Sequence, residues 1–212
     1  MRLYTYWRSS AAYRVRIALH LKGLAFDSVT RNLASGEHRN ESYLALNPQG
    51  LVPALEDDGF VLAQSLAIIE YLDETHPEPA LLPTAPRPRA LVRSLAQAIA
   101  CDIHPLNNTR VLSYLKGPLG QDVEHVNGWY RHWIATGFAS LEELARRHSG
   151  DGRHLYGASV TMADVCLAPQ LYNARRFQSD LTPFPTLTAI GAALDDLPAF
   201  QRARPEAQPD AG

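Results

Sequence analysis

Five prolines crowd residues 77–88, at positions 77, 79, 83, 86 and 88, and no other feature constrains the fold of this 212-residue chain as strongly. Each ring removes a backbone donor and fixes φ at about −65°, so no helix or central strand can run through the segment. The patterns on its two sides differ. Before it, short apolar runs alternate with amphipathic stretches. Leu3-Tyr4-Thr5-Tyr6-Trp7 reads as a strand, residues from Ser9 as a helix, 24–33 as a second strand and 39–46 as a short helix. Two short strands near 53–56 and 60–63 and a helix over 65–75 complete the half. That βαβαββα order predicts an α/β domain with a small mixed sheet covered by helices. Beyond the prolines every pattern is helical, over 88–115, 122–148, 161–177, 186–195 and 198–204. The expected division is an α/β domain over 1–82 and an all-α domain over 83–212, with the tail from Arg204 fraying.

Composition narrows the function classes. Hydrophobic residues make up 46% of the chain and the net charge is −2, so no basic surface points to nucleic acid. No run approaches the roughly 18 uncharged apolar residues of a membrane span. Arg2, Arg8, Arg14 and Arg16 interrupt the start of the chain, so no signal peptide is expected. The two cysteines, Cys101 and Cys166, have neither metal-ligand nor redox spacing. They are expected as small core residues in a reduced cytoplasm, with no metal site.

Three segments carry chemistry. Ser9-Ser10-Ala11-Ala12-Tyr13-Arg14-Val15-Arg16-Ile17-Ala18-Leu19 turns a strand directly into a hydroxyl-opened helix, whose first N–H groups and positive dipole end suit an anion. Leu51-Val52-Pro53-Ala54-Leu55 places a proline just before a strand, and Ala63-Gln64-Ser65-Leu66 opens another helix, with Ser65 as a natural N-cap. In this order and spacing the segments resemble the glutathione-binding domain of the cytosolic glutathione transferases. The Ser-Ser-x-x-x-Arg-Val-Arg-Ile-Ala-Leu run resembles their zeta class, which includes maleylacetoacetate and maleylpyruvate isomerases. The resemblance covers nearly the whole chain. It implies a thioredoxin-like first domain, the glutathione transferase fold, glutathione as cofactor, a small dicarboxylate substrate and a homodimer.

It also implies roles. Ser9 would donate to the glutathione sulfur, with Ser10 beside it. Val52 before a cis proline and His38 would hold the cysteinyl and glycyl portions, and Gln64 and Ser65 the γ-glutamyl end. In the second half, Asp102-Ile103-His104-Pro105-Leu106-Asn107-Asn108-Thr109-Arg110 resembles the zeta isomerases. His104, Asn108, Thr109 and Arg110 would then reach glutathione and substrate, and Asp102 the neighbouring subunit's glutathione. His104 and Asn108, four apart, are expected on one helix face, with Arg110 opposite unless Pro105 bends the helix. Arg8, leading into the serine pair, and Arg176, closing a helix, are charged ends of the kind that usually face solvent. In this resemblance they would clamp the carboxylates of a diacid, together with His104 and Arg110. Thr161 and Asp164 have capping-box spacing and are assigned structure only.

Ala11 stands where the maleylacetoacetate isomerases usually carry cysteine, which favours glutathione-dependent isomerisation of maleylpyruvate to fumarylpyruvate. The alternatives are maleylacetoacetate isomerisation, a zeta-like transferase or dehalogenase, and a non-catalytic interaction protein of this fold.

Overall fold

The apolar run at the start of the chain becomes an interior strand of a four-stranded sheet in the computed structural model, which describes residues 1–211. β1 (Arg2–Thr5) pairs in parallel with β2 (Asp27–Thr30) and antiparallel with β3 (Ala54–Asp57), which pairs antiparallel with β4 (Phe60–Ala63). Leu3 stands opposite both Ser28 and Leu55. Residues 3–5 are buried, as an interior strand requires, while the edge strand β2 begins with exposed Asp27 and Ser28. α1 (Ser10–Leu21) joins β1 to β2. The short helix expected at 39–46 is two pieces, a 3-10 turn over Glu37–Arg39 and α2 (Glu41–Leu46), because the backbone of Asn40 between them is extended. α3 (Ser65–Thr75) packs on α1.

The proline segment begins as an ordered strap. The buried ammonium of Lys22 donates to Asp73 at 2.9 Å and to the carbonyls of His76 and Pro79 at 2.7 and 3.0 Å. Asp73 also accepts from the N–H of Leu81 at 2.7 Å.

The all-helical unit departs from expectation at its start. The continuous helix predicted over 88–115 is α4 (Pro86–Gln97), a π-helical turn over Ala98–Ile103, a 3-10 turn over His104–Asn107 and α5 (Thr109–Lys116). Pro105 cannot donate to a carbonyl one turn back, and the winding changes around it. α6 (Val123–His148) lies against the π-helical turn, and a Cβ at Gly137 would fall 2.3 Å from the Ile103 side chain. Only glycine allows that approach. α7 (Met162–Arg176) starts at the expected capping box, with Asp164 accepting from Thr161 N–H and Oγ1 at 2.8 and 2.9 Å and from Leu155 N–H at 2.6 Å. α8 (Pro185–Asp195) has its first N–H groups capped by Glu142, which accepts from Thr186 and Leu187 at 2.9 and 3.0 Å.

The tail is ordered rather than frayed. α9 (Pro198–Ala203) packs on α1, a 3-10 turn covers Pro205–Ala207, and Asp210 accepts from the N–H of Trp7 at 3.0 Å. By packing, the chain divides into residues 1–81 with the segment from Asp196, and Leu82–Asp195. The expected division at the prolines places 196–211 with the second unit. Their partners are instead the backbone and buried arginine at the start of the first. Among the described residues no helix is long and apolar enough to cross a membrane.

Candidate functional site

In the first unit, two helices begin beside the sheet. Ser9 is the N-cap of α1, with extended backbone (φ −69°, ψ 115°), and its Oγ accepts from Ala12 N–H at 3.2 Å. Capping occupies an oxygen lone pair and leaves the hydroxyl proton to be donated outward, where the first helical N–H groups also point. Ser10 is buried and Ser9 only half-buried, so the two adjacent hydroxyls have different surroundings. Arg8 is exposed, its guanidinium carbon 4.5 Å from the centroid of the Trp7 ring and one nitrogen 3.5 Å from the Tyr6 hydroxyl.

α3 opens differently from expectation. Gln64, not Ser65, occupies the N-cap, at φ +73° and ψ 115°, and it makes no side-chain cap bond. A glutamine there is strained by about 1–3 kcal/mol. Its amide instead donates to Gln49 Oε1 at 2.9 Å. Ser65, the first helical residue, accepts at Oγ from the guanidinium of Arg14 at 3.3 Å. Arg14 is 1% exposed, so a buried cation stands directly behind the Ser65 hydroxyl. Sequence reasoning did not single out Arg14. The available signal was a pair of arginines, Arg14 and Arg16, set among Tyr13, Val15 and Ile17 on the buried stretch of the helix.

Val52 is buried and joined to Pro53 by a cis peptide bond, just beyond Tyr4–Ala54, the last pair of the β1–β3 ladder. The preceding carbonyl, of Leu51, accepts from the Tyr43 hydroxyl at 2.6 Å and the Asn47 amide at 2.8 Å. At Gly50 (φ +57°) a Cβ would lie 3.2 Å from the carbonyl oxygen of His38, so the His38 turn packs against the entry to β3. His38 Nδ1 is buried without a hydrogen-bond partner among the described residues. Burial, helped by the charge of Arg39, holds its pKa below the ordinary histidine value and keeps the ring neutral at pH 7.

In the second unit, His104 opens the 3-10 turn, whereas Asn108 is extended and caps α5 by accepting from Arg110 N–H at 3.1 Å. The expected shared helix face is therefore absent, since the winding changes between them. Thr109 and Arg110 are exposed in the first turn of α5, and Asp102 is exposed on the π-helical turn. The His104 segment is strapped to α6: Trp129 donates to Leu106 O at 2.8 Å and Asn107 to Tyr130 O at 3.3 Å. The Tyr130 ring stacks on Phe177, centroids 3.6 Å apart, and the Arg176 guanidinium lies 5.0 Å from the Phe177 ring. Burial drives the Tyr130 hydroxyl pKa up, against the opposing charge of Arg176. Tyr130 thus connects the His104 segment to Arg176, a link that sequence reasoning missed for want of any motif. Of the arginine pair, Arg175 binds Asp195 at 3.0 Å, while exposed Arg176 has no carboxylate partner among the described residues.

Known proteins are similar to this chain in sequence and fold. Residues 8–75 match the family model of the glutathione S-transferase N-terminal domain and residues 127–202 that of the C-terminal domain. A probable maleylacetoacetate isomerase from Vibrio cholerae is 52% identical over 211 residues, 99% of this chain and 97% of that one. A holo structure of a maleylpyruvate isomerase, described as a bacterial zeta-class glutathione S-transferase, is 48% identical, with TM-score 0.98 over all of both chains. A maleylacetoacetate isomerase from Methylobacterium extorquens AM1, solved with bound malonate and glutathione, is 43% identical, with TM-score 0.96 over all of both chains.

Proposed function

The chain belongs to the zeta class of the glutathione S-transferase family, and on that footing we propose that it isomerises maleylpyruvate to fumarylpyruvate with glutathione as cofactor. The observation that carries the reading is the Ser9 hydroxyl, which caps α1 with a lone pair and keeps its proton for an anion. The donor set suits a thiol tripeptide with two carboxylates. An α3 N-terminus without a side-chain cap, a buried cation behind Ser65 and an unpartnered ring nitrogen on His38 all await polar partners.

Glutathione, when bound, would supply a thiolate nucleophile for reversible addition to the substrate's double bond, which frees rotation about that bond. Ser9 donates a hydrogen bond to that sulfur, contributing roughly 1.5–3 kcal/mol as a bond to a charged group. The N-terminus of α1 adds about 0.3–1 kcal/mol. Together they lower a thiol pKa of about 8.5 to roughly 6–7. Ser10 lines the same helix start. Ser65, with Arg14 behind it, and Gln64 hold the γ-glutamyl end. Val52 pairs with the cysteinyl backbone, and His38 donates to the glycyl portion. In the second unit, His104, Asn108, Thr109 and Arg110 are assigned to glutathione, and Asp102 to the glutathione of the neighbouring subunit. Arg8 in the first unit, and His104, Arg110 and Arg176 in the second, are the groups assigned to substrate carboxylates and to negative charge developing on keto-acid oxygens.

Ala11 after the serine pair supports maleylpyruvate, while the Vibrio cholerae relative favours maleylacetoacetate as the second reading. The protein is read as a cytoplasmic homodimer acting on a small dicarboxylate, away from membranes and nucleic acid.

The test follows maleylpyruvate by ultraviolet absorbance, with and without glutathione, while free thiol is assayed. Glutathione-dependent turnover without thiol loss is expected. Thiol consumed in step with substrate would mean a transferase, and turnover of maleylacetoacetate alone would favour the second reading.

A further inference from the structure

The connection that carries Arg8 and Ser9 is held from behind by two charged residues that no part of the mechanism above uses. Arg16 is fully buried in α1, and its guanidinium donates to Thr5 Oγ1 at 3.0 Å, to the carbonyls of Tyr6 and Trp7 at 3.4 and 2.9 Å, and to Ala203 O in α9 at 3.1 Å. Asp210 takes the other side of the same residue, accepting from Trp7 N–H at 3.0 Å. Both peptide groups of Trp7 are therefore fixed by charged side chains. The Trp7 ring in turn carries the Arg8 guanidinium, and Ser9 closes the turn by donating its own N–H to Tyr6 O at 3.0 Å. Arg16 and Asp210 also feel each other. Burial brings the Arg16 pKa down to about 10, and the charge of Asp210 opposes that shift.

Peptide groups at the end of an interior strand need partners once they leave the ladder, and here those partners come from the tail. The residue they fix precedes the two side chains assigned to substrate and sulfur. We propose that Asp210 is a positioning residue for the reaction: it sets the Trp7 peptide, and through Trp7 the placement of the Arg8 guanidinium and the Ser9 hydroxyl. Arg16 is the fixed counterpart on the carbonyl side. Bonds to charged groups are short and directional, so losing one lets the loop drift without dismantling the core. The inference rests on the glutathione-dependent reading above.

The experiment compares the parent chain with Asp210→Ala and Asp210→Asn. An asparagine carbonyl can still accept from Trp7 N–H, so the second variant restores the contact without the charge. The first readout is amide hydrogen exchange of Trp7 in the unliganded protein, which needs neither glutathione nor turnover. The second is the pKa of bound glutathione, followed through thiolate absorbance. The third is kcat against KM.

Asp210→Ala is expected to speed Trp7 exchange, raise the bound-thiol pKa and lower kcat about ten- to a hundredfold, as a misplacement near 1 Å does. KM for glutathione should stay within about twofold and the thermal midpoint should hold, while Asp210→Asn regains most of the loss. Unchanged exchange, or a kcat equal to the parent's, overturns the inference. So does a variant that loses glutathione affinity and thermal stability together with no recovery by asparagine, because that is general destabilisation. A parent that binds glutathione yet isomerises neither keto acid overturns the functional reading, and exchange with the bound-thiol titration then decides the inference by itself.

Discussion

A hydroxyl at a helix start can satisfy its own helix and still act on a ligand, and Ser9 shows the division of labour in atoms. Its oxygen accepts from Ala12, and its proton is not used by that bond. Ser9→Ala removes both. Loss of the cap costs about 1 kcal/mol of stability. Loss of a bond to a charged sulfur raises the bound-thiol pKa by about one to two pH units and lowers kcat about tenfold or more, while glutathione affinity stays within a few-fold. Titration of thiolate absorbance checks this, and an unshifted curve would remove Ser9 as the donor. At this scale the sequence was legible where a residue's role is local, as for Ser9 at the start of its helix. It was silent where the role depends on a distant partner. Arg14 meets Ser65 across 51 residues, and Tyr130 meets Phe177 across two helices.

Among the elements, α3 and the α4–α5 segment show how local pattern and final geometry diverge. α3 starts at Ser65, as its sequence predicts, yet the capping position belongs to Gln64, whose positive φ no side-chain pattern announces. That backbone opens the helix toward a ligand at the expense of stability. Gln64→Gly relieves about 1–3 kcal/mol of strain and returns about 0.5–1 kcal/mol through the freedom of glycine in the unfolded chain. The thermal midpoint should therefore rise by a few degrees while glutathione affinity falls, read by calorimetry and by titration. A lowered midpoint would show that the conformation is unstrained. Residues 88–115 are apolar with a helical period, and that period survives in the pieces. What it does not record is the change of winding around Pro105, which separates His104 from Asn108.

Across the molecule, two histidines set a pH response. His20 and His38 both have pKa values lowered chiefly by burial, with Arg202 and Arg16 adding to the effect at His20 and Arg39 at His38. Their unfolded counterparts titrate at about 6.5 and take protons first as the pH falls. The unfolded state then binds more protons than the folded one, so stability declines below about pH 6.5 and is independent of these groups well above it. Thermal midpoints should fall between pH 7.5 and 5.5, and the double variant His20→Gln/His38→Gln should flatten that slope. A slope unchanged in the double variant would place the dependence elsewhere. The sequence by itself determined the proline-rich boundary, the alternation of strand and helix before it, the helices after it and the serine motifs at helix starts. Each of these is written in neighbouring residues, through φ restriction, periodicity and capping. Only the tertiary structure decided which groups the buried charges satisfy: Lys22 on the strap, Arg14 behind Ser65, Arg16 and Asp210 around Trp7. Asp210 and Trp7 are 203 positions apart. No period relates such residues, and burial forces a polar group to find a partner without specifying where along the chain that partner lies.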